Sequence, residues 1–396
     1  MSYLYYKTTR LSLIVACGLL FSIFACGHFF HIYNNFRNDN IWFQDFFGLW
    51  SYAKFLLLRP VLKIYNNEAL LDFQMDLGAC PKCLLPFAYP PFFLFFIAPL
   101  GFLSYYLAYP LWAFSTLFLY FALSFDKQQP RYAAFLIIFA PATIIAFETG
   151  QTGLLSSALI VGGFRLVGTR PILSGTLFGL ASFKPQLGIL IPIALISARL
   201  WRTIAAACVT VLVLVVASGA AFGWSIWPLW FAKLLPHADW VMEVKDRLNP
   251  TIISNLTSIG IDLTVARSVE ACVAVVVGVM IWICFRHGAT MLATAALLVG
   301  TFLATPYAMV YDMPLLTSAV LLVLRDREQK NRALTIPELI VLAMSLVVPV
   351  IMVATWRPAT LRSIPLILLF GLVVWRILRA SILRCCSSSE MPESRC

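Results

Sequence analysis

Charge is what this sequence has least of. Only 12% of its 396 residues are Asp, Glu, Lys or Arg, against about 25% in an average soluble domain. With 61% of the chain hydrophobic, there is too little polar surface to cover a water-soluble fold, and most of the apolar side chains must meet lipid or other helices. Other absences narrow the field. No fixed-period repeat and no Rossmann-like glycine pattern is visible. No cluster of acids shows divalent-ion spacing, so neither a metal nor another cofactor is expected. The formal charge of +11 does not mark a nucleic-acid binder, because the Lys and Arg residues stand singly at the ends of apolar runs. Ten cysteines make no disulfide framework, since Cys17, Cys26, Cys208, Cys272 and Cys284 lie within apolar runs where cysteine acts as a small hydrophobe. Cys80 and Cys83 form the one C-x-x-C, open to a local disulfide if its loop is extracytoplasmic or, less naturally, to half a zinc site.

What is present is a succession of apolar runs long enough to cross a bilayer, each needing about 20 residues. They fall near residues 11–33, 86–101, 105–125, 132–147, 152–168, 172–197, 203–222, 267–285, 289–305, 309–324, 337–355 and 364–383. The fold class is therefore an all-α polytopic membrane protein of roughly ten to twelve spans, a single domain over residues 1–383. Leu11 to Phe30 is too long for a signal-peptide core and carries no small-x-small cleavage site, so it reads as a retained anchor. Lys7 and Arg10, Arg199 and Arg202, the Arg325 to Arg332 segment, and Arg376, Arg379 and Arg384 fall on one side if both termini are cytoplasmic. That assignment implies a multi-pass protein of the plasma (inner) membrane. It places two long loops outside, residues 34–85 and 223–266, and puts the Gln151 turn on the cytoplasmic side. Residues 384–396, rich in Ser, read as a disordered cytoplasmic tail.

Polar chemistry gathers at five places. In the first outer loop, Phe46 to Leu58 around Lys54 and Arg59 has the rhythm of an interfacial amphipathic helix, with Asp45 at its head. Asp45 either caps that helix or serves as a general base at the membrane surface. Phe87-Ala88-Tyr89-Pro90-Pro91 opens the next run, where a double Pro suits a helix start. Glu148-Thr149-Gly150-Gln151-Thr152-Gly153 forms a polar turn. Lys184 follows a G-x-x-x-G-L-A segment and lies inside an apolar run, where an ammonium is expensive and faces a cavity or a partner. It either holds a lipid phosphate or pairs with a structural acid such as Glu148. Thr305-Pro306 to Tyr311-Asp312 forms the last cluster, in which Asp312 either caps a span or lines a site. The second outer loop adds His237, Asn249 and Asn255.

In this order, the D-F segment at Asp45, the F-x-Y-P-P segment at Phe87, the Gly150-Gln151 turn, the segment ending in Lys184-Pro185 and the Thr305 to Asp312 cluster resemble glycosyltransferase family 87. These are polytopic C-type glycosyltransferases that use polyprenyl-phosphate sugars. The resemblance implies transfer of a hexose, mannose favoured, from a lipid phosphate to a lipid or glycan acceptor on the extracytoplasmic face. It implies Asp45 as the base, with inversion in a single displacement. Lys184, Arg59 and Lys54 are then candidates to hold the donor phosphate, and Tyr89, Gln151, Tyr311, Asp312, His237 and Asn255 to line the substrate. Mannosyltransferases of this family carry a His pair where this chain has Tyr311-Asp312. Two other readings compete. A secondary transporter or lipid flippase would show two related halves, which are not visible. A glycan polymerase or ligase would place key Arg and His residues in a late outer loop, for which His237 and Arg247 are the hints.

Overall fold

The computed structural model describes residues 44–126, 131–244, 248–286, 288–354 and 362–388. The first expected span, the retained anchor, Arg247 and the tail beyond Ser388 lie outside the described residues. Within them the chain is helical, without strands. Among the described residues six helices are long and apolar enough to cross a membrane, beside five shorter apolar helices. The chain is an all-α polytopic membrane protein.

Two helices of the first loop come first, α1 (Gln44–Leu58) and α2 (Asn67–Asp76). Asn66 caps α2 by accepting a hydrogen bond from the Ala69 amide at 2.9 Å, as Asn favours at this position. α1 differs from an interfacial amphipath: Phe46, Phe47, Leu49, Ser51, Tyr52, Ala53 and Phe55 are all buried, and only its last turn, at Leu57 and Leu58, is exposed. Protein rather than lipid covers it, because the next run folds back against it. That run was expected to cross the membrane over 86–101. Instead, a short helix α3 (Phe93–Ile97) leads directly into a 3-10 turn, Ala98–Phe102. Trp50 Nε1 then donates to the Leu103 carbonyl at 3.1 Å, holding the segment beside α1.

The long helix α4 (Tyr105–Ser124) follows, then α5 (Arg131–Phe139) and α6 (Pro141–Thr149). The last two form one span broken where Pro141 lacks an N–H. α7 (Gly153–Leu166), α8 (Pro171–Ala181), α9 (Ile191–Ser197) and α10 (Trp201–Phe222) complete the first half. The expected single span over 172–197 is a helical hairpin, because Pro185 and a 3-10 turn at Pro185–Gly188 interrupt it just past Lys184. Gly175 and Gly179 let α8 lie against α10 at backbone distance. A Cβ on Gly175 would sit 2.3 Å from the Thr203 carbonyl oxygen, and one on Gly179 2.5 Å from Thr210 Cβ. This is small-residue packing of the kind membrane helices use when no hydrophobic drive brings them together.

The second loop folds as α11 (Ile226–Val244) and α12 (Ile252–Ser258), and the remaining helices are α13 (Leu263–Phe285), α14 (Met291–Ala304), α15 (Pro314–Gln329), α16 (Ile336–Ala354) and α17 (Ile364–Ser388). The buried Glu338 binds Arg327 and Arg376, tying α15, α16 and α17 together. α17 passes residue 384, where a disordered tail was expected, since Ile382-Leu383-Arg384 favours helix continuation. The two polar loops meet. Trp230 Nε1 donates to the Ala88 carbonyl at 3.1 Å, and Lys233 Nζ donates to Asn67 Oδ1 at 3.1 Å.

Candidate active site

Where the loops meet lies a cleft with about 790 Å³ of empty space, part of it open to solvent. Asp45, Tyr89, Gln151, Lys184, His237, Tyr311 and Asp312 line it together. These are seven of the ten expected site residues, drawn from segments spread over most of the chain.

Each arrives by a local device. Asp45 stands in the first turn of α1, and Tyr52, seven residues on, falls on the same face two turns later and also lines the cleft. Lys184 sits at the apex of the α8–α9 hairpin. Its ammonium donates to Asp312 Oδ1 at 2.6 Å and lies 4.9 Å from the centre of the Tyr311 ring. The expected structural partner, Glu148, is not the one; Asp312 is, because the hairpin apex meets the turn ahead of α15. Asp312 does not cap the span α15, as one expectation had it; its Oδ2 accepts from the Met309 amide at 3.1 Å and closes the 3-10 turn Val310–Asp312 ahead of that helix. Both side chains of the pair are almost wholly buried, at 5% and 3% exposure.

The Gln151 turn was expected on the opposite side from Asp45, yet it forms part of the same cleft. The cause is the segment at Phe93–Phe102, which packs on α1 instead of crossing, so that α4 and the broken α5–α6 span return the chain to the side of α1; the turn-back at Lys184 then restores the expected alternation, and the second loop meets the first. Gly150 adopts φ +60°, closing α6 in a left-handed conformation that glycine favours. Gly153 allows the turn to touch the last cluster, since a Cβ there would lie 1.6 Å from the Tyr311 carbonyl oxygen. Tyr89 then reaches across, donating to Gln151 Oε1 at 3.1 Å and approaching the Thr152 hydroxyl at 3.3 Å. Its ring stacks on Phe93 at 4.2 Å.

The phenols of the cleft are neutral donors. Burial, then the Asp312 and Asp45 carboxylates, holds Tyr311 well above its ordinary value. Burial also raises Tyr89, opposed by its bond to Thr152 and reinforced by Asp312 and Asp45. Tyr52 is raised by burial, Tyr89 and Asp45, and Tyr307 is pushed up to about 12 by burial and Asp312. With four phenols protonated, proton acceptance falls to a carboxylate or to His237, whose ring centre lies 6.0 Å from that of Tyr307. Among the described residues no three His, Cys, Asp or Glu side chains gather as a metal site.

Three expected residues are elsewhere. Lys54 lies over the Trp50 ring, and Arg59 pairs with Asp76 at 3.0 Å on the exposed surface. Asn255 is structural, donating to the Thr251 carbonyl and accepting from the Arg362 amide at 3.0 Å. Tyr52 and Tyr307 were not singled out as site residues. The seven-residue spacing from Asp45 carries the signal for the first, and membership of the Thr305–Asp312 cluster the signal for the second.

Cys80 and Cys83 are joined in a disulfide, so the zinc alternative fails. No curated protein and no solved structure shows a significant match to the chain. A sequence model of glycosyltransferase family 87 does match, over residues 87–306, more than half of the chain and including Tyr89, Gln151, Lys184 and His237. The chain belongs to glycosyltransferase family 87.

Proposed function

We propose that the protein moves a hexose, mannose favoured, from a polyprenyl-phosphate donor to a lipid or glycan acceptor on the extracytoplasmic face of the plasma membrane, inverting the anomeric centre, with Asp45 as general base. The observation that carries this reading is the shared cleft: the Asp45 carboxylate faces a space that also holds the buried pair of Lys184 and Asp312 and protonated phenols. Asp45 takes the proton from an acceptor hydroxyl as its oxygen attacks the anomeric carbon. The bond to the polyprenyl phosphate breaks, and the phosphate leaves with the bonding pair. Its growing charge calls for donors already in place, supplied by Lys184, Tyr89 and Tyr311. Lys54 and Arg59, outside the cleft, have no part in this step.

The disulfide at Cys80–Cys83 supports an oxidising, extracytoplasmic compartment for the first loop and, with the Lys/Arg bias, termini on the cytoplasmic side. Family membership favours transfer over transport or polymerisation. The test is Asp45→Asn in purified protein assayed with polyprenyl-phosphate mannose and, in parallel, polyprenyl-phosphate glucose. Removing a general base is expected to cost about 10²-fold or more in turnover, whereas a mere helix cap would tolerate Asn. Near-normal transfer by this variant refutes the assignment of Asp45.

A further inference from the structure

A second opening lies beside the cleft, a groove enclosing about 900 Å³ of space open to solvent, walled by the start of α2 and the segment before it on one side and by α11 on the other. Lys63, Tyr65, Asn66, Asn67, Glu68 and Lys233 line it. Lys233 is fixed across the gap by its bond to Asn67 Oδ1 at 3.1 Å. Lys63 is exposed, and its ammonium has no partner among the described residues. Tyr65 is the wall between groove and cleft: it lines the groove, and its hydroxyl donates at 2.7 Å to the carbonyl oxygen of Tyr89, which lines the cleft.

From this geometry we propose that the groove is a subsite for the acceptor, and that the acceptor is a glycan carrying negative charge at a residue back from its reacting end. This deepens the transferase reading and rests on it. The donor does not suit the groove, because a polyprenyl chain needs a continuous apolar path, and two leucines, Leu62 and Leu229, set among amides, two ammonium groups and a carboxylate do not make one. They suit sugar hydroxyls, which both donate and accept. The charge of the occupant follows from the walls, where two ammonium groups face one carboxylate, Glu68, and one ammonium stands unpaired. The position suits an acceptor too. A chain whose terminal hydroxyl reaches the cleft passes the Tyr65–Tyr89 wall and lays its next residues in the groove. Six of the eight lining residues precede the segment that matches the family, which is where a preference particular to this chain would be carried.

The test is direct binding, independent of turnover. Full-length protein in detergent is titrated with tri-galacturonate and with mannotriose, as wild type, as Lys63→Gln/Lys233→Gln, and as Lys82→Gln, an exposed lysine outside the groove. Wild type is expected to bind the anionic trisaccharide more tightly than the neutral one. The double variant should weaken that binding about fivefold to tenfold, as for two exposed charge pairs, and leave mannotriose and the Lys82→Gln protein unaffected. Added salt should mimic the double variant. Equal binding of the two trisaccharides, or anionic binding that the double variant does not change, overturns the proposal. A protein that binds as expected but transfers no hexose from a polyprenyl phosphate would fail the function reading while leaving the groove's preference for anionic glycans standing.

Discussion

The buried pair of Lys184 and Asp312 is the sharpest point at which the site can be challenged. Its atoms are 2.6 Å apart and its side chains 5% and 3% exposed, so water neither screens the attraction nor solvates a survivor. Removing one partner of such a pair costs about 3–5 kcal/mol, because the other charge is left buried. Asp312→Asn keeps an acceptor for the Met309 amide and removes only the charge, so its cost reports on Lys184. Equilibrium unfolding in mixed micelles is expected to show that loss for Asp312→Asn and a similar one for Lys184→Met. The double variant should recover to within about 2 kcal/mol of wild type, since no orphaned charge remains. Turnover separates structure from chemistry: if Lys184 holds the leaving phosphate, the double variant regains stability and stays inactive. A cost below about 1 kcal/mol for Asp312→Asn would refute the picture of an unscreened pair. A double variant restored in both stability and turnover would show that Lys184 does not touch the phosphate.

Other consequences follow from the same geometry. Gly153→Ala, whose Cβ would meet the Tyr311 carbonyl oxygen at 1.6 Å, is expected to lose about 10²-fold or more of turnover through misplacement of that turn, while Gly168→Ala, with nothing within 4 Å, changes neither rate nor melting temperature. Tyr89→Phe keeps the stack on Phe93 but leaves Gln151 and Thr152 short of a donor, a cost of about 1–3 kcal/mol, to be read as roughly a tenfold or greater fall in rate. Because burial raises all four cleft phenols, with Tyr307 at about 12, the rate at fixed saturation should show no alkaline fall from tyrosine ionisation at the ordinary phenol value of 10.0; a spectroscopic tyrosinate signal with loss of rate near that pH would contradict it. After mild reduction, Cys80 and Cys83 should react with a membrane-impermeant maleimide on intact cells, and labelling only in inverted vesicles would reverse the proposed orientation.

Much of the helix pattern could be read from hydropathy. The runs expected at 105–125, 203–222 and 337–355 appear as Tyr105–Ser124, Trp201–Phe222 and Ile336–Ala354, because a bilayer sets both length and composition of a crossing helix. Hydropathy failed where an apolar run is buried in protein without crossing. Phe92, Phe93, Leu94 and Ile97 are all buried, and nothing in their composition distinguishes a segment packed on α1 from one in lipid. The proline at 185 was visible, but that it turns the chain back depends on where α9 finds partners. In the site, polar residues from separate segments come to line one cleft, as a polar group within an apolar run needs a partner. Lys54 and Arg59 were placed near Asp45 by sequence proximity alone. On a helix that proximity misleads, because Lys54 is nine residues past Asp45, half a turn off its face.

The charges of the cleft bear on the order of events. Asp45 and Asp312 both act on Tyr89 and Tyr311, so two carboxylates share a space in which Lys184 is the one ammonium among the described residues. Under the proposed reaction a donor phosphate adds more negative charge to that space. Lys184 cannot neutralise it fully while held by Asp312, so donor binding must loosen the Lys184–Asp312 contact or share the ammonium between two anions. Either change acts on the turn that carries Asp312, which rests on Gly153 and, through Thr152, connects to Tyr89. Under that reading donor binding is linked to the Tyr89 hydroxyl, one of the groups proposed to hold the leaving phosphate, with no domain movement required. On the same reading the site keeps Lys184 paired when empty and shares it when an anion arrives, an arrangement that would suit charged side chains held stable at the edge of a membrane.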